Sequence, residues 1–324
     1  MTDKQREEPA NRFLADIGGT NVRFALQKKG KTANHLESYR TADYADLASA
    51  IANYFQRLPV ETAPKEAAFA AASVVSGDRV ELTNCPWIFS IQAIRKRFGF
   101  ERLDVINDFT AIALGVPEID AGDLYKVGGG KAAEDAPIVV IGPGTGLGVS
   151  GLIPTANGEW MALSTEGGHV TMAAVTDTEA GVLQKLRERF DHVSAERVVS
   201  GPGLLNLYEA IGGKAPVPAS PDELTRRALD GKEPDCLAVL HTFCEMLGTV
   251  AGDLALTLGA QGGVYVAGGI LPRFRDFFAA SGFRRRFEEK GRFSDYLAGI
   301  PTFVICHPEP AFLGLAKLLD HDSD

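Results

Sequence analysis

Two glycine-rich loops in the sequence could each bind a phosphate group. Glycine lets a ligand approach the backbone closely, and a turn of exposed N–H groups beside a hydroxyl group favours an anion. An ordinary hairpin turn explains the first loop alone better, but two such loops in one chain favour phosphate binding. Asp16 lies just before the first loop and could hold Mg²⁺ through water. The loop residues are Gly18, Gly19 and Thr20 in the first loop and Gly144, Thr145 and Gly146 in the second.

The second loop matches known nucleotide-binding motifs only in part. It contains no lysine, which a Walker A loop requires. The segment Gly146–Gly151 has the spacing G-x-G-x-x-G, but Leu147–Ile153 followed by Pro154 predicts a strand. The dinucleotide-binding fingerprint requires a helix at that place. We therefore interpret the match as coincidental, and a nicotinamide-dependent dehydrogenase is disfavoured.

Polar residues outside these loops could contact a ligand or transfer a proton. Asn107 and Asp108 follow an apolar strand, where α/β proteins bind ligands, although a helix N-cap explains them at least as well. Glu166 and His169 flank a glycine pair and combine a carboxylate with an imidazole. Taken alone, His169 is more commonly a structural residue than a ligand contact. Taken alone, Glu196 is more commonly part of a surface ion pair or of the first turn of a helix. Only their combination with the loops favours a site.

The elements that would position these residues form two similar groups. An apolar strand, a glycine turn and a returning strand occur twice, as in a hairpin rather than a βαβ unit. A further glycine turn at Gly268 and Gly269 could lie against an adenine or ribose, or could simply join a strand to a helix. We predict two related α/β domains with a cleft between them. The predicted strands are Arg12–Asp16, Val22–Leu26, Ala67–Val75, Arg79–Thr83, Leu103–Ile106, Ile138–Ile141, Leu147–Ile153, Trp160–Ser164, Val264–Ala267 and Phe303–Cys306; the predicted helices are Asp43–Leu58, Ser90–Phe98, Thr178–Phe190, Gly203–Ile211, Asp235–Leu258, a helix after Pro272, and Ala311–Leu319.

Composition and charge exclude several classes of partner. The chain has 324 residues and a net charge of -9, so no global field attracts nucleic acid or an anionic membrane. Apolar runs such as Ala67–Val75 are much shorter than the roughly 20 residues of a membrane helix. Met1–Asn11 lacks the apolar core of a signal peptide, and four cysteines form neither a disulfide framework nor a C-x-x-C pair. A Ser-His-Asp hydrolase elbow, G-x-S-x-G, is also missing. These observations predict a cytoplasmic protein without nucleic-acid or membrane partners.

The motifs together resemble the bacterial glucokinase family, the hexokinase-like, non-ROK branch of the actin-like sugar-kinase superfamily. They occur in the family's order across nearly the whole chain. The matching segments are Leu14–Asn21, Ile106–Ala111, Gly142–Gly148, Glu166–Val170, Ala195–Gly203 and Val266–Ile270.

The resemblance implies a two-domain, actin-like, hexokinase-type ATPase fold with ribonuclease H-like domains and a central cleft. Residues 1–118 and 309–324 would form the smaller domain, and residues 119–308 the larger one, which carries a homodimer contact. The implied reaction is transfer of the γ-phosphoryl group of ATP, bound with Mg²⁺, to the 6-hydroxyl of glucose, the first step of glycolysis.

The resemblance also implies a role for each candidate residue, with Asp108 as the general base. The glucose hydroxyls would contact Asn107, Asp108, Glu166, His169 and Glu196. The ATP phosphates would face Asp16, Gly18, Gly19, Thr20, Gly144, Thr145 and Gly146, and the adenosine would lie near Gly268 and Gly269.

Two departures and two alternatives accompany this resemblance. ROK sugar kinases carry a cysteine-rich zinc motif that this chain lacks, so we expect no zinc and assign His169 to sugar contact. Pro143 stiffens the second loop and removes an N–H donor. Another hexose or amino-sugar kinase on the same fold is one alternative. A sugar-sensing regulator is the other, but it would need a helix-turn-helix domain, and only Met1–Asn11 precede the first predicted strand.

Overall fold

A computed structural model describes residues 11–58, 63–83, 85–213 and 216–320, in two compact units. Unit 1 comprises Met1–Ile119 and Pro308–Asp324, and unit 2 comprises Asp120–His307. Met1–Ala10, on which the signal-peptide prediction depends, lie outside the described residues.

The strands and helices are numbered in chain order. The strands are β1 Asn11–Ile17, β2 Asn21–Lys28, β3 Asn34–Arg40, β4 Glu66–Ala71, β5 Arg79–Glu81, β6 Ile88–Ser90, β7 Arg102–Asn107, β8 Leu124–Val127, β9 Ile138–Pro143, β10 Leu147–Pro154, β11 Trp160–Ser164, β12 Gly263–Val266 and β13 Thr302–Ile305. The helices are α1 Leu47–Gln56, α2 Ile91–Phe98, α3 Asp108–Gly115, α4 Asp177–Arg187, α5 Gly201–Ile211, α6 Pro221–Leu229, α7 Pro234–Leu258, α8 Arg275–Ala280, α9 Phe283–Glu288, α10 Ser294–Ala298 and α11 Pro310–Asp320.

The sheet of unit 1 has the strand order β3-β2-β1-β4-β7. β1, β2 and β3 form an antiparallel meander, and β1, β4 and β7 are parallel. The sheet of unit 2 has the order β11-β10-β9-β12-β13-β8, in which β9, β10 and β11 form the meander and β9, β12 and β13 are parallel. The shared topology confirms the prediction of two related α/β domains.

Unit 1 buries both faces of its sheet. On one face, α1 covers an aromatic cluster centred on Phe13. On the other face, α11 packs against α3 without intervening side chains. A Cβ atom added at Gly314 would lie 1.8 Å from the carbonyl oxygen of Ala111, and one at Gly115 would lie 2.5 Å from that of Pro310. This close contact fixes α3, the helix that begins at Asp108.

Local capping explains where the predicted helices begin and end. α2 begins after Ser90, whose hydroxyl accepts from the N–H of Ala93, and ends at Gly99 with φ 70°, as predicted. The helix predicted at Asp43–Leu58 begins later, at Leu47, because Asp46 and Ser49 form a capping box. The elements that were not predicted from the sequence are β3, β6, β8, α3, α6, α9 and α10.

α7 is the central helix of unit 2 and packs against α5, α6 and α9. Among the described residues, this helix alone has the length and composition to cross a membrane, and 61% of its most apolar window is buried inside the protein. Burial in the core explains its apolar composition, so we interpret α7 as a core helix.

Candidate functional site

The predicted site residues of unit 1 lie at the carboxyl edge of its parallel strands. Ile17 pairs with Ala71, and Ala71 pairs with Asn107. Because adjacent strands are about 4.8 Å apart, the first glycine loop and Asn107 lie roughly 10 Å from each other along one edge. Ligands of open α/β sheets bind at such edges.

The first glycine loop is held by a residue that the sequence analysis missed. Thr41, only 6% exposed, places its hydroxyl 2.9 Å from the carbonyl oxygen of Gly19 and 3.0 Å from that of Thr20. The Thr41 N–H also donates to Thr20 at 2.9 Å. Thr41 therefore binds the loop's carbonyl groups from inside the protein, while the Thr20 side chain is exposed. No local sequence signal links Thr41 to this loop.

Asp16 lies at the end of β1 in a charged environment. Desolvation by the surrounding protein raises the pKa of Asp16 to about 6. Arg23, with Nη1 3.6 Å from the Asp16 carboxylate, opposes this shift, and Glu309 adds to it. Arg23 also pairs with Glu309 at 2.7 Å. Neither Arg23 nor Glu309 was identified as a site residue from the sequence.

The structure separates the roles of Asn107 and Asp108. Asn107 is the N-cap of α3, and its Oδ1 accepts from the N–H groups of Phe109 and Thr110 at 2.9 and 3.2 Å. Its Nδ2 donates to the carbonyl of Ser73 at 3.3 Å. Asp108 is the first residue of the helix, and its Oδ1 accepts from Phe109 N–H at 2.9 Å. The N-cap interpretation is therefore correct for Asn107, whereas the cap does not depend on the carboxylate of Asp108.

In unit 2, the second glycine loop is the tip of the β9–β10 hairpin. Pro143 pairs with Leu147, and the N–H of Gly144 donates to the carbonyl of Gly146 at 2.8 Å, leaving Thr145 exposed. The strand predicted after the loop is confirmed, because β10 pairs antiparallel with β9. This excludes the helix of a dinucleotide fingerprint. Gly144 does not adopt a positive φ, so the backbone of this turn does not itself require glycine there.

The turn at Gly268 and Gly269 lies against the base of the second loop. Ala267 N–H donates to the carbonyl of Ile141 at 2.8 Å. Gly268 has φ 95°, and a Cβ atom there would lie 2.5 Å from the carbonyl oxygen of Pro143, so only glycine fits this position.

A cavity of about 300 Å³ borders this turn. Its lining residues come from α5, α6 and the segment after Gly269. They are Leu204, Pro221, Asp222, Thr225, Arg226, Leu229, Asp230, Ile270 and Arg273. The N–H of Gly201, at the start of α5, donates to the carbonyl of Gly144 at 2.8 Å, which ties this cavity wall to the second loop.

The structure brings Glu166, His169 and Glu196 together. His169 Nδ1 is 3.8 Å from Glu166 Oε2, and His169 Nε2 is 3.8 Å from Glu196 Oε1. Glu196 Oε2 accepts from the N–H of Leu147 at 2.9 Å. The three side chains are 55%, 60% and 28% exposed, so they are open to a ligand.

The glycine pair between Glu166 and His169 explains how these residues reach the second loop. A Cβ atom at Gly168 would lie 1.9 Å from the carbonyl oxygen of Leu147. Only glycine lets this turn pack directly on β10, at the residue that follows the loop. Carboxylates and an imidazole so arranged can both donate and accept hydrogen bonds, as a polyol requires.

Metal-binding side chains do not gather in the part of the chain that the structure describes. No group of three or more His, Cys, Asp or Glu residues has a metal-binding arrangement there.

Comparison with known proteins adds to this geometry. A family model described as Glucokinase matches residues 13–322. The chain is 55% identical over 310 residues to a glucokinase of Paramagnetospirillum magneticum, covering 95% of this chain and 97% of that protein. It is 50% identical over 312 residues to a glucokinase of Nitrobacter hamburgensis, with coverage of 95% and 97%.

Comparison of the fold with solved structures also finds a glucokinase. The crystal structure of a glucokinase from an Antarctic psychrotroph matches with a TM-score of 0.85 and 37% identity, covering 96% of this chain and 99% of that one. The predicted resemblance is confirmed, and the chain belongs to the glucokinase family of ATP-dependent sugar kinases.

Proposed function

We propose that this chain transfers the γ-phosphoryl group of ATP to the 6-hydroxyl of glucose, giving glucose 6-phosphate and ADP. The reaction is the first step of glycolysis. The observation that carries the proposal is the attachment of the Glu166, His169 and Glu196 cluster to a glycine loop with the composition of a phosphate site. Membership of the glucokinase family agrees with a sugar-binding role for the cluster and a phosphate-binding role for the loop.

The sugar contacts that we propose are the five residues that the family resemblance implies. Glu166, His169 and Glu196 hydrogen-bond the glucose hydroxyls, and so do Asn107 and Asp108. Asp108 is the general base, which accepts the proton of the 6-hydroxyl as its oxygen bonds to the γ-phosphorus. The position of Asp108 supports this role, because Asn107 caps α3 and the cap does not depend on the Asp108 carboxylate.

The nucleotide contacts follow the glycine turns. Phosphoryl transfer depends mainly on positioning and charge stabilisation, which backbone N–H groups provide. The first loop and the second loop bind the ATP phosphates. The adenosine lies near Gly268 and Gly269, with the adenine in the adjoining cavity, whose apolar side chains Leu204, Leu229 and Ile270 suit a flat ring.

Mg²⁺ would accompany ATP, and the residues present fit it. The carboxylate of Asp16 is the kind of oxygen ligand that Mg²⁺ prefers, and Mg²⁺ usually keeps several waters and binds substrate phosphates. When bound, Mg²⁺ neutralises phosphate charge. We expect no zinc, and we assign His169 to sugar contact.

The proposal also covers assembly and location. We expect a homodimer whose contact lies on residues 119–308, as in the family that the sequence resembles, and light scattering at twice the chain mass would support it. All four cysteines are free thiols, which supports our proposal that the protein is located in the reducing cytoplasm. We expect no nucleic-acid or membrane partner.

Identification of the product tests the proposed reaction. Purified protein with Mg-ATP and glucose should produce a sugar phosphate that glucose-6-phosphate dehydrogenase oxidises. 6-Deoxyglucose, which lacks the acceptor hydroxyl, is the matched control and should bind but yield no phosphorylated sugar. Phosphorylation of 6-deoxyglucose, or no product from glucose, would refute the assignment.

A further inference from the structure

Glu196 has two carboxylate oxygens that face different parts of the proposed site. Oε2 accepts from the N–H of Leu147, the residue that follows the second loop, at 2.9 Å. Oε1 lies 3.8 Å from His169 Nε2, among the proposed sugar contacts. One side chain therefore touches both the loop proposed for ATP and the cluster proposed for glucose.

The position of Glu196 against the loop is tight. A Cβ atom added at Gly146 would lie 2.5 Å from Glu196 Oε2, whereas one added at Gly144 meets nothing within 4 Å. Although both glycines lie in the same turn, only a side chain at position 146 would collide with the Glu196 carboxylate.

The backbone around Glu196 is fixed to the same loop by a second route. The Ser200 hydroxyl donates to the carbonyl of Glu196 at 2.7 Å, and the N–H of Gly201 donates to the carbonyl of Gly144 at 2.8 Å. A shift of the loop therefore displaces Glu196, and a shift of Glu196 displaces the loop.

We propose that Glu196 couples sugar binding to the conformation of the second phosphate loop. Glucose that draws Oε1 into a hydrogen bond fixes the carboxylate, and Oε2 then holds the Leu147 N–H and the loop in the form that binds nucleotide. This inference rests on the proposed function and adds to it a positioning role for a sugar contact. The coupling is reciprocal, as any linkage between binding sites must be.

A substitution in the phosphate loop that changes glucose affinity tests the coupling. In Gly146→Ala the new methyl group displaces Glu196 Oε2, so the Kd of glucose, measured by calorimetry without nucleotide, should rise about tenfold. Gly144→Ala is the matched control, because its methyl group has open space, and its glucose Kd should stay within about twofold of wild type. A glucose Kd of Gly146→Ala that equals the wild-type value would overturn the inference.

Variants of Glu196 test the same link from the other side and do not depend on how Gly146→Ala folds. Without glucose, Glu196→Ala should bind ADP about tenfold more weakly, because the Leu147 N–H loses its acceptor. Glu196→Gln keeps the length and an acceptor oxygen, so its ADP affinity should recover while its glucose affinity stays impaired. Wild-type ADP affinity in Glu196→Ala would overturn the coupling.

The wild-type protein separates this inference from the function on which it rests. Failure of the wild type to phosphorylate glucose would refute the proposed function. If the wild type phosphorylates glucose but Gly146→Ala keeps the wild-type glucose Kd, or Glu196→Ala keeps the wild-type ADP affinity, the coupling alone is refuted.

Discussion

Asp108→Asn is the substitution that separates a general base from a helix-terminal residue. In the wild type, the N–H of Phe109 donates to Asp108 Oδ1 at 2.9 Å. Asparagine has nearly the same size and keeps an Oδ1 acceptor for this N–H. The cap of α3 comes from Asn107 and remains. The variant loses a negative charge near the helix N-terminus, which is worth about 0.3–1 kcal/mol. The melting temperature should therefore fall by no more than about 4 °C.

The effect on turnover should be far larger. Loss of general-base help lowers kcat about 10²–10⁴-fold, or about 3–5 kcal/mol. Glucose binding also weakens, since a hydrogen bond to a charged group contributes about 1.5–3 kcal/mol. The assay is ADP release at saturating glucose and Mg-ATP, with melting temperatures measured in parallel.

Asp104→Asn is the matched control for this experiment. Asp104 lies on the preceding strand, β7, and pairs with Arg102 at 2.7 Å, so it loses an equal charge without a proposed role in the reaction. Its kcat should match the wild type. A kcat of Asp108→Asn within a few-fold of wild type would remove Asp108 from the mechanism.

The remaining predictions concern the glycine loops and the metal. Gly144→Val should fold normally, because a Cβ atom there meets nothing within 4 Å, but should lose ATP affinity, since the side chain blocks backbone approach; a folded variant with wild-type affinity, by circular dichroism and nucleotide titration, would contradict the phosphate role of this loop. Thr41→Val should raise the KM for ATP about fivefold to tenfold by removing the hydroxyl that binds Gly19 and Thr20, with little change in the KM for glucose, and Thr41→Ser should restore it; equal KM values for Thr41→Val and wild type would exclude this role. Activity should require Mg²⁺ and survive removal of zinc, and stoichiometric zinc in active protein, found by elemental analysis, would overturn the assignment of His169 to sugar contact.

Hairpins and glycine turns were the most predictable parts of the fold. β11 was predicted at the residues where it occurs, and β9 and β10 within two residues at each end. Strong alternation of apolar runs and glycines marks such elements because the turn and the strands both leave local signals.

Two of the missed elements, α3 and β3, lack a local period. α3 reads as an apolar run in which Thr110, Ala111, Ala113 and Leu114 are all buried, so no polar face reveals the helix. β3 is an edge strand with mostly exposed residues, and its pattern resembles a loop. Only packing against α11 and β2 decides these segments.

Contacts between distant residues were also beyond the sequence. Glu196 and Leu147 are 49 residues apart, and nothing near either residue indicates the hydrogen bond that joins them. The same holds for Thr41 and the first glycine loop. The residues of the site could be proposed from the motif resemblance. The contacts that each of them makes, such as the N-cap of Asn107 and the bond from Leu147 to Glu196, could be seen only in the structure.

ADP release across a panel of sugars tests most directly whether this chain phosphorylates glucose with ATP. Purified protein with Mg-ATP should be assayed with glucose, mannose, fructose, glucosamine and N-acetylglucosamine, with kcat/KM determined for each. We expect the highest kcat/KM for glucose and little ADP release without sugar. A higher kcat/KM for another sugar, or no glucose-dependent ADP release, would contradict it.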